Sequence, residues 1–218
     1  GWVALAVPDH PGEAPGHRIA VRRALTIPGV AQVLAITVLF VLAHNILYTY
    51  IAPLLAELGM AGEVDRALFV FGIASAASLW FVGLHIDGHL RRLTVASVAL
   101  FAVAATLLAV TTALPAAVYA AATLWGLGFG GTATLLQTGL ATAAGPAADT
   151  AQAALVTLWN SGIAGGAVVG GALLTRLGPA WLPRSAVILL APALLVVVAT
   201  QAFGGRRAQL QGEGGNQM

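Results

Sequence analysis

The sequence predicts an all-α integral membrane protein with six transmembrane helices. Charged residues are scarce, because the chain has 10 arginines, 8 acidic residues and no lysine, whereas hydrophobic residues make up 59% of it. A soluble protein of this length needs a far more charged surface. Long apolar stretches separate the charges, and a helix needs about 20 residues to cross a bilayer core of about 30 Å. Composition and spacing therefore agree on a membrane protein.

The intervals between charges delimit the spans. The uncharged intervals contain 33 residues after Arg23, 20 after Arg66, 56 after Arg92, 26 after Asp149 and 21 after Arg184. The longest holds two spans that separate at Pro115, since proline is tolerated at a helix start and not in its interior. The predicted spans are about 28–55, 66–86, 93–113, 116–141, 150–175 and 184–203. Most are apolar nearly all round, which excludes a soluble protein whose helices need polar outer faces.

The two ends of the chain are polar. Residues 1–26 are rich in proline and charge and are predicted to form a cytoplasmic linker, because a signal peptide needs a basic start followed at once by an apolar stretch. Residues 27–203 form the predicted six-helix bundle. Residues 204–218, rich in Gly and Gln, are predicted to be a disordered cytoplasmic tail.

The arginines predict the orientation in the membrane. With six spans, both ends lie on one side, together with the loops after the second and fourth spans. That side carries Arg18, Arg22, Arg23, Arg91, Arg92, Arg206 and Arg207, and the other carries Arg66, Arg176 and Arg184. Cytoplasmic loops are enriched in Arg and Lys. We therefore expect both ends of this segment in the cytoplasm and the bundle in the cytoplasmic (inner) membrane.

The loop between the second and third predicted spans carries a charged pattern, with Gly83, Asp87, Arg91 and Arg92. It resembles the loop motif of the major facilitator superfamily, Gly-x-x-x-Asp-Arg/Lys-x-Gly-Arg-Arg, although the first basic residue and the second glycine are replaced. A carboxylate at a helix end can accept hydrogen bonds from arginines and from the N-terminus of a neighbouring helix. The four matching residues are thus expected to act as a conformational latch; the alternative is that the arginines only anchor the loop.

Two further segments resemble the same superfamily. Residues 48–55 are similar to the seventh helix of its bacterial drug- and sugar-efflux members, and the glycine-rich residues 159–178 are similar to their eleventh. The resemblance covers Trp2 to Phe203. It implies one C-terminal half-bundle of the twelve-helix fold, built as a three-plus-three inverted repeat. It also implies a proton-coupled transporter that exports a small neutral or amphipathic solute by alternating access. The partners are then the lipid bilayer, the substrate and a missing N-terminal six-helix half, or a second copy.

Glycines recur every four residues in the fourth and fifth spans, at Gly126 and Gly130 and at Gly162, Gly166 and Gly170. Ridges of small residues let helix backbones approach closely in lipid. Static packing is one interpretation. The other is that these seams slide as a transporter changes conformation.

Polar residues at membrane depth indicate a substrate cavity, because burying them is costly. Thr37, Val41, His44 and Tyr48 lie on one face of the first span, and Asn45 flanks it. His44 can bind substrate or carry a proton, since imidazole titrates near neutral pH; it and Asn45 can equally be structural. The further cavity candidates are Trp125, Phe129, Gln137, Trp159 and Asn160.

Several other chemistries are not expected. No acidic residue falls in the middle of a span, so a coupling acid belongs to another part of the transporter unless His44 takes that role. The chain has no cysteine, and neither a metal, a cofactor nor nucleic acid is expected. A zinc site at His85, Asp87 and His89 lacks a fourth ligand. An intramembrane serine protease is not expected either, because Trp159 replaces the first glycine of the Gly-x-Ser-Gly signature around Ser161.

One alternative stays open at this point. A complete protein of six helices can dimerise into a full pore or serve as a scaffold that transports nothing. The chain starts at Gly1 instead of Met, which favours a fragment. A reading frame upstream that encodes six more spans would decide for the fragment.

Overall fold

Every regular element in the described part of the chain is a helix. The structure, a computed structural model, describes residues 21–111, 114–200 and 202–203. The α-helices are α1 (Val21–Leu25), α2 (Val30–Thr49), α3 (Ile51–Glu57), α4 (Val64–Val110), α5 (Pro115–Phe129), α6 (Thr132–Ala144), α7 (Ala148–Leu177) and α8 (Trp181–Ala199). Short 3-10 helices, Ala61–Glu63 and Gly145–Ala147, precede α4 and α7. The predicted all-α class is confirmed.

Among the described residues, four stretches are long and apolar enough to cross a membrane. They are Val30–Thr49, Ala61–Val110, Pro115–Leu177 and Trp181–Ala199. The second and third exceed the roughly 20 residues of one crossing. The predicted tail, 204–218, and residues 1–20 of the predicted linker lie outside the described residues, with Arg18, Arg206 and Arg207. Of the rest of that linker, residues 21–25 form α1.

Helix α4 folds back on itself at His89. Forty-seven helical residues would extend about 70 Å if straight, but His89 has a non-helical backbone (φ −134°, ψ 19°). The ring of Trp125 in α5 lies 4.9 Å from the ring of Phe71 and 5.7 Å from the ring of Phe101. A straight helix would separate these two phenylalanines by about 45 Å. Residues 64–88 and 90–110 are therefore two arms of a helical hairpin, called here the first and second arms.

Helix α2 lies at the centre of the bundle. It packs against α7, α8 and α6, and eleven of its side chains are buried, among them Ile36, Phe40 and Leu47. Its apolar residues occur on all sides, as expected for a helix surrounded by other helices. Helix α7, by contrast, is mostly on the outside of the bundle, since its buried residues are Ala151, Leu155 and three glycines.

The glycines of α7 form the contact with α2. A methyl group at Gly162 would lie 3.0 Å from Val41 Cγ1, and one at Gly166 would lie 2.5 Å from Asn45 Cβ. At Gly170 it would meet the ring of Tyr50 at 2.7 Å. The two helices therefore approach so closely that these three positions leave no room for a Cβ atom without movement of the neighbour.

Gly126 in α5 and Gly130, directly after its last residue, form a second close contact, with the first arm of α4. A methyl group at Gly126 would collide with the carbonyl oxygen of Phe71, and one at Gly130 with the carbonyl oxygen of Ser75. Both predicted glycine ridges therefore lie in helix contacts. Whether either seam slides stays a prediction.

The ends of several predicted spans differ from the helices. The first, 28–55, is interrupted at Tyr50 (φ −116°, ψ 28°), because Pro53 has no N–H to donate to the carbonyl of Thr49 four residues earlier. The fourth, 116–141, is divided at residues 130–131 and continues to Ala144. Pro115 opens α5, as predicted. The third ends at Val110 instead of 113, and α8 runs from Trp181 to Ala199 instead of 184–203.

Candidate functional site

Seven aromatic side chains from α2, the two arms of α4 and the C-terminal end of α5 lie together in the bundle. The group, called here the His44 cluster, consists of Phe40, His44 and Tyr48 from α2, Phe71 and Phe101 from the two arms of α4, and Trp125 and Phe129 from α5. Folding α4 back at His89 is what brings Phe71 and Phe101 to the same site. Aromatic pairs of this kind each contribute about 0.5–1.5 kcal/mol beyond the area that they bury.

His44 is the centre of the cluster. Its ring stacks on Phe129 with centroids 3.8 Å apart and planes 11° apart. Trp125 Nε1 donates a hydrogen bond of 3.1 Å to His44 Nδ1. Trp125 is 2% exposed and His44 7% exposed. The imidazole is thus held by stacking on one side and by a buried hydrogen bond on another.

Tyr48 forms the open side of the cluster. Its ring stacks 5.3 Å from His44, and the side chain is 45% exposed. Thr49 beside it is exposed as well, and so are Gln32 and Ala35 on the same helix. By contrast, Thr37 is fully buried. The face of α2 predicted to line a cavity is therefore covered along most of its length and opens at Tyr48.

Two predicted cavity residues use their polar groups for hydrogen bonds within α2. The Thr37 hydroxyl donates to the carbonyl of Val33 at 2.9 Å, and Asn45 Nδ2 donates to the carbonyl of Val41 at 2.9 Å. Such bonds to the preceding turn are common for short polar side chains in helices. Asn45 also packs against Gly166. In this conformation both residues serve packing.

Three other predicted cavity residues lie in α6 and α7. Gln137 in α6 is exposed, and its backbone carbonyl accepts a hydrogen bond of 2.8 Å from Gln152 Nε2. Asn160 is exposed and bonds to the carbonyl of Val156 in its own helix. Trp159 is half-buried against the core. No described hydrogen bond or ring contact joins any of the three to the His44 cluster.

The predicted latch residues lie on both sides of the bend at His89. Gly83, Asp87, Arg91 and Arg92 are all exposed. Arg91 Nη2 donates a hydrogen bond of 2.7 Å to the carbonyl of Val198, in the last turn of α8. Within the described residues, Asp87 forms no ion pair within 4.0 Å. The loop therefore contacts α8 through Arg91, and the latch role of Asp87 stays a prediction.

Sequence reasoning missed a polar contact at the opposite end of the α4 hairpin. Glu63 pairs with Arg66 at 3.0 Å, and the hydroxyl of Tyr119 donates to Glu63 Oε2. These two donors hold the pKa of the Glu63 carboxyl below its ordinary value, and the Tyr119 hydrogen bond is the larger cause. The contact joins the start of α4 to α5. Because Tyr119 lies 56 residues further along the chain, spacing alone did not indicate it.

Sequence reasoning also missed Phe40, Phe71 and Phe101 as members of the cluster. A phenylalanine in an apolar span carries no signal that separates a site from a core. Among the described residues, which include His85, Asp87 and His89, no three potential metal ligands lie close enough together to hold a metal ion. His85 Nδ1 instead lies 2.9 Å from the carbonyl oxygen of Phe81.

The chain is similar to curated proteins named "Probable sugar efflux transporter". The protein from Mannheimia succiniciproducens is 29% identical over 145 residues, and the one from Haemophilus influenzae is 31% identical over 145 residues; each alignment covers 65% of this chain and 36% of the relative. The protein from Pasteurella multocida is 26% identical over 170 residues, which cover 77% of this chain and 42% of the relative.

The chain thus spans between 36% and 42% of the length of these relatives. No protein-family model and no solved structure matches it. The similarity and the apolar helices together support a relationship to multi-pass membrane transporters.

Proposed function

We propose that this chain is the C-terminal six-helix half of a secondary transporter of the major facilitator superfamily, in its drug- and sugar-efflux branch. The observation that carries the proposal is the similarity to three proteins named probable sugar efflux transporter, over 65% to 77% of this chain. The transporter exports a small neutral or amphipathic solute by alternating access. A sugar is the first candidate, because that is the solute in the relatives' names.

The proposed topology has six spans. They are α2 with α3, the first arm of α4, the second arm of α4, α5 with α6, α7, and α8. The bend at His89 supports this division, since it turns one overlong helix into two arms of membrane length. The arginines at residues 91 and 92 then lie at the cytoplasmic surface, and both ends of the segment lie on the same side.

The proposed substrate contacts are in the His44 cluster. Its described members offer aromatic faces, the exposed hydroxyl of Tyr48 and the imidazole of His44, and no carboxylate or cationic side chain. Such a surface suits a neutral solute that has both an apolar face and polar oxygens. Half of the binding surface would come from the N-terminal half, because midplane sites in these transporters lie between the two repeats.

Transport is tested on the full-length product of the gene that encodes this chain. The protein is reconstituted in liposomes and supplied with a panel of sugars, nucleosides and drugs, with and without a pH gradient. We expect at least one neutral solute to move, faster with the gradient. If none moves while a known transporter reconstituted in parallel is active, the proposal is wrong.

The alternative is a stand-alone protein of six helices that acts as a dimer or as a scaffold. The reading frame upstream of the Gly1 codon separates the two. Six further spans with their own copy of the loop motif favour the half-transporter, and a nearby start codon favours the alternative.

A further inference from the structure

We infer that Trp125 holds His44 in one neutral tautomer, with the proton on Nε2, so that His44 is a fixed hydrogen-bond donor and not a proton carrier. Trp125 is then a positioning residue. The part of this inference that concerns the ligand rests on the proposed transport function, whereas the part that concerns the tautomer does not.

The hydrogen bond between the two rings can have only one direction, from Trp125 to His44. An indole N–H can donate but cannot accept. Trp125 Nε1 lies 3.1 Å from His44 Nδ1, so Nδ1 has to present its lone pair. A neutral imidazole that accepts at Nδ1 carries its proton at Nε2. Both side chains are at least nine-tenths buried, which leaves little water to replace the bond.

Protonation of His44 at Nδ1 would break this hydrogen bond. Protonated imidazole has N–H groups at both nitrogens, and Nδ1–H would face the Trp125 N–H across 3.1 Å. The buried indole donor would then lose its acceptor, which is costly. Stacking on Phe129 offers cation–π attraction, but it does not provide the acceptor that Trp125 loses.

No charged side chain among the described residues is in contact with His44 to compensate for a positive charge. The rings around it are Phe71 and Phe101 from α4, Trp125 and Phe129 from α5, and Tyr48, the one other titratable group. Helix α7 faces α2 with glycines, and α6 has no charged residue. In α8 the charged residue is Arg184, in the first turn.

The other ring nitrogen of His44, Nε2, is the atom that can contact a solute. His44 Nε2 has no hydrogen-bond partner among the described residues. In that part of the chain, Ser75 Oγ is the single fully enclosed side-chain polar atom without a partner, so Nε2 keeps some accessible surface. The exposed ring of Tyr48 stacks on the same imidazole. Nε2–H is therefore available to an oxygen acceptor of a neutral solute, such as a hydroxyl, ether or carbonyl oxygen, and it repels a cation.

Nitrogen NMR tests the tautomer directly. The full-length gene product is labelled with ¹⁵N-histidine, and the His44 signals are assigned by their loss in His44→Gln. We expect an unprotonated Nδ1 and a protonated Nε2 that do not change between about pH 5 and pH 8. A His44 that becomes doubly protonated in this range overturns the inference.

Trp125→Phe removes the N–H and keeps an aromatic ring. We expect His44 to become a mixture of the two neutral tautomers. Trp80→Phe, at an exposed tryptophan, is the matched control and should leave the His44 signals unchanged. If Trp125→Phe does not fold, 3-benzothienylalanine at position 125 replaces N–H with sulfur at nearly the same shape. Unchanged His44 signals in a folded variant that lacks the N–H overturn the role of Trp125.

Transport kinetics test the ligand contact. His44→Gln keeps an N–H donor near the position of Nε2, and His44→Leu removes it. We expect KM to rise about five- to tenfold in His44→Leu and much less in His44→Gln, as for one lost hydrogen bond. Equal values in both variants overturn the ligand contact while transport by the wild-type protein still stands. Absence of wild-type transport refutes the proposed function and leaves the NMR result to decide the tautomer.

Discussion

The hydroxyl of Tyr50 donates a hydrogen bond of 2.7 Å to the backbone carbonyl of Ala167, and it joins the break after α2 to the middle of α7. The same ring fills the space beside Gly170 and Gly171, where added methyl groups would each lie 2.7 Å from Tyr50 atoms. One side chain therefore combines a hydrogen bond with close packing. The contact joins residues 117 positions apart, and it fixes the direction in which the chain leaves α2.

Tyr50→Phe should lower the stability of the bundle. It removes the hydrogen bond to Ala167 and keeps the ring against the glycines. The expected loss is about 0.5–1.5 kcal/mol, which corresponds to a few degrees in the midpoint of thermal unfolding in detergent. Tyr48→Phe is the control, because Tyr48 is exposed and its hydroxyl has no described partner. Equal midpoints for the two variants would show that the Tyr50 bond contributes nothing.

Gly166→Ala should destabilise the contact between α2 and α7. The added methyl would lie 2.5 Å from Asn45 Cβ and 3.1 Å from the carbonyl oxygen of Leu42, so the helices must move apart. Overpacking of this kind costs about 1–3 kcal/mol. Gly72→Ala, in the first arm of α4, meets no atom within 4 Å and should be neutral or stabilising, since alanine favours helix. The unfolding midpoints of the two variants check this, and a stabilised Gly166→Ala would contradict it.

Arg91→Gln should weaken the contact between α8 and the bend at His89. Arg91 donates to the carbonyl of Val198, which belongs to the last turn of α8 and has no partner within the helix. The expected loss is about 1 kcal/mol, measured as a lower unfolding midpoint. Arg92→Gln is the control because no hydrogen bond from Arg92 to a described residue is present. A larger effect from Arg92→Gln would mean that charge alone, and not the bond to α8, matters here.

Asp87→Arg should impair transport and leave membrane insertion intact. In this conformation Asp87 is exposed and has no described ion pair, so a latch would engage it in the other conformation. Loss of a hydrogen bond to a charged group costs about 1.5–3 kcal/mol, and we expect the transport rate to fall about tenfold or more. Rates in liposomes are compared at equal amounts of inserted protein. Wild-type transport by the variant would exclude the latch role.

Acid should weaken the contact between the start of α4 and α5. Tyr119 and Arg66 hold the pKa of Glu63 below its ordinary value of 4.5. A depressed folded-state pKa stabilises the fold above the unfolded-state value, and that contribution is lost as pH falls through the folded-state pKa. The effect is small because the carboxyl is partly exposed to solvent. Tyr119→Phe should reduce the acid dependence of the unfolding midpoint between about pH 5 and pH 3, whereas Tyr48→Phe should not. An unchanged dependence in Tyr119→Phe would contradict this account.

Much of the secondary structure was predictable. Uncharged stretches of about 20 residues locate apolar helices because a bilayer interior excludes charge. The bend at 83–92 was predictable from a run of polar residues between two apolar runs, and Pro115 marked the start of α5 as predicted. The break at Tyr50 was harder to foresee. Pro53 indicated it in principle, but proline within the first turn after a break and proline inside a helix look alike in a sequence.

The candidate site was only partly predictable. His44, Tyr48 and Trp125 stood out because polar or amphipathic side chains are costly at membrane depth. Gln137, Trp159 and Asn160 stood out for the same reason, but none of the three forms a described hydrogen bond or ring contact with the cluster. Periodicity indicates which face of a helix a residue occupies, but it does not indicate which neighbour covers that face.

The sequence by itself determined the class of this protein: apolar helices of membrane length, with glycine ridges and few polar residues inside. This follows from local physics, since the cost of charge in lipid and the spacing of 3.6 residues per turn act within one segment. Only the tertiary structure decided the pairing of Trp125 with His44, of Tyr50 with Ala167 and of Arg91 with Val198. These pairs are separated by 81, 117 and 107 positions. Their contacts depend on how whole helices pack, which no short stretch of sequence encodes.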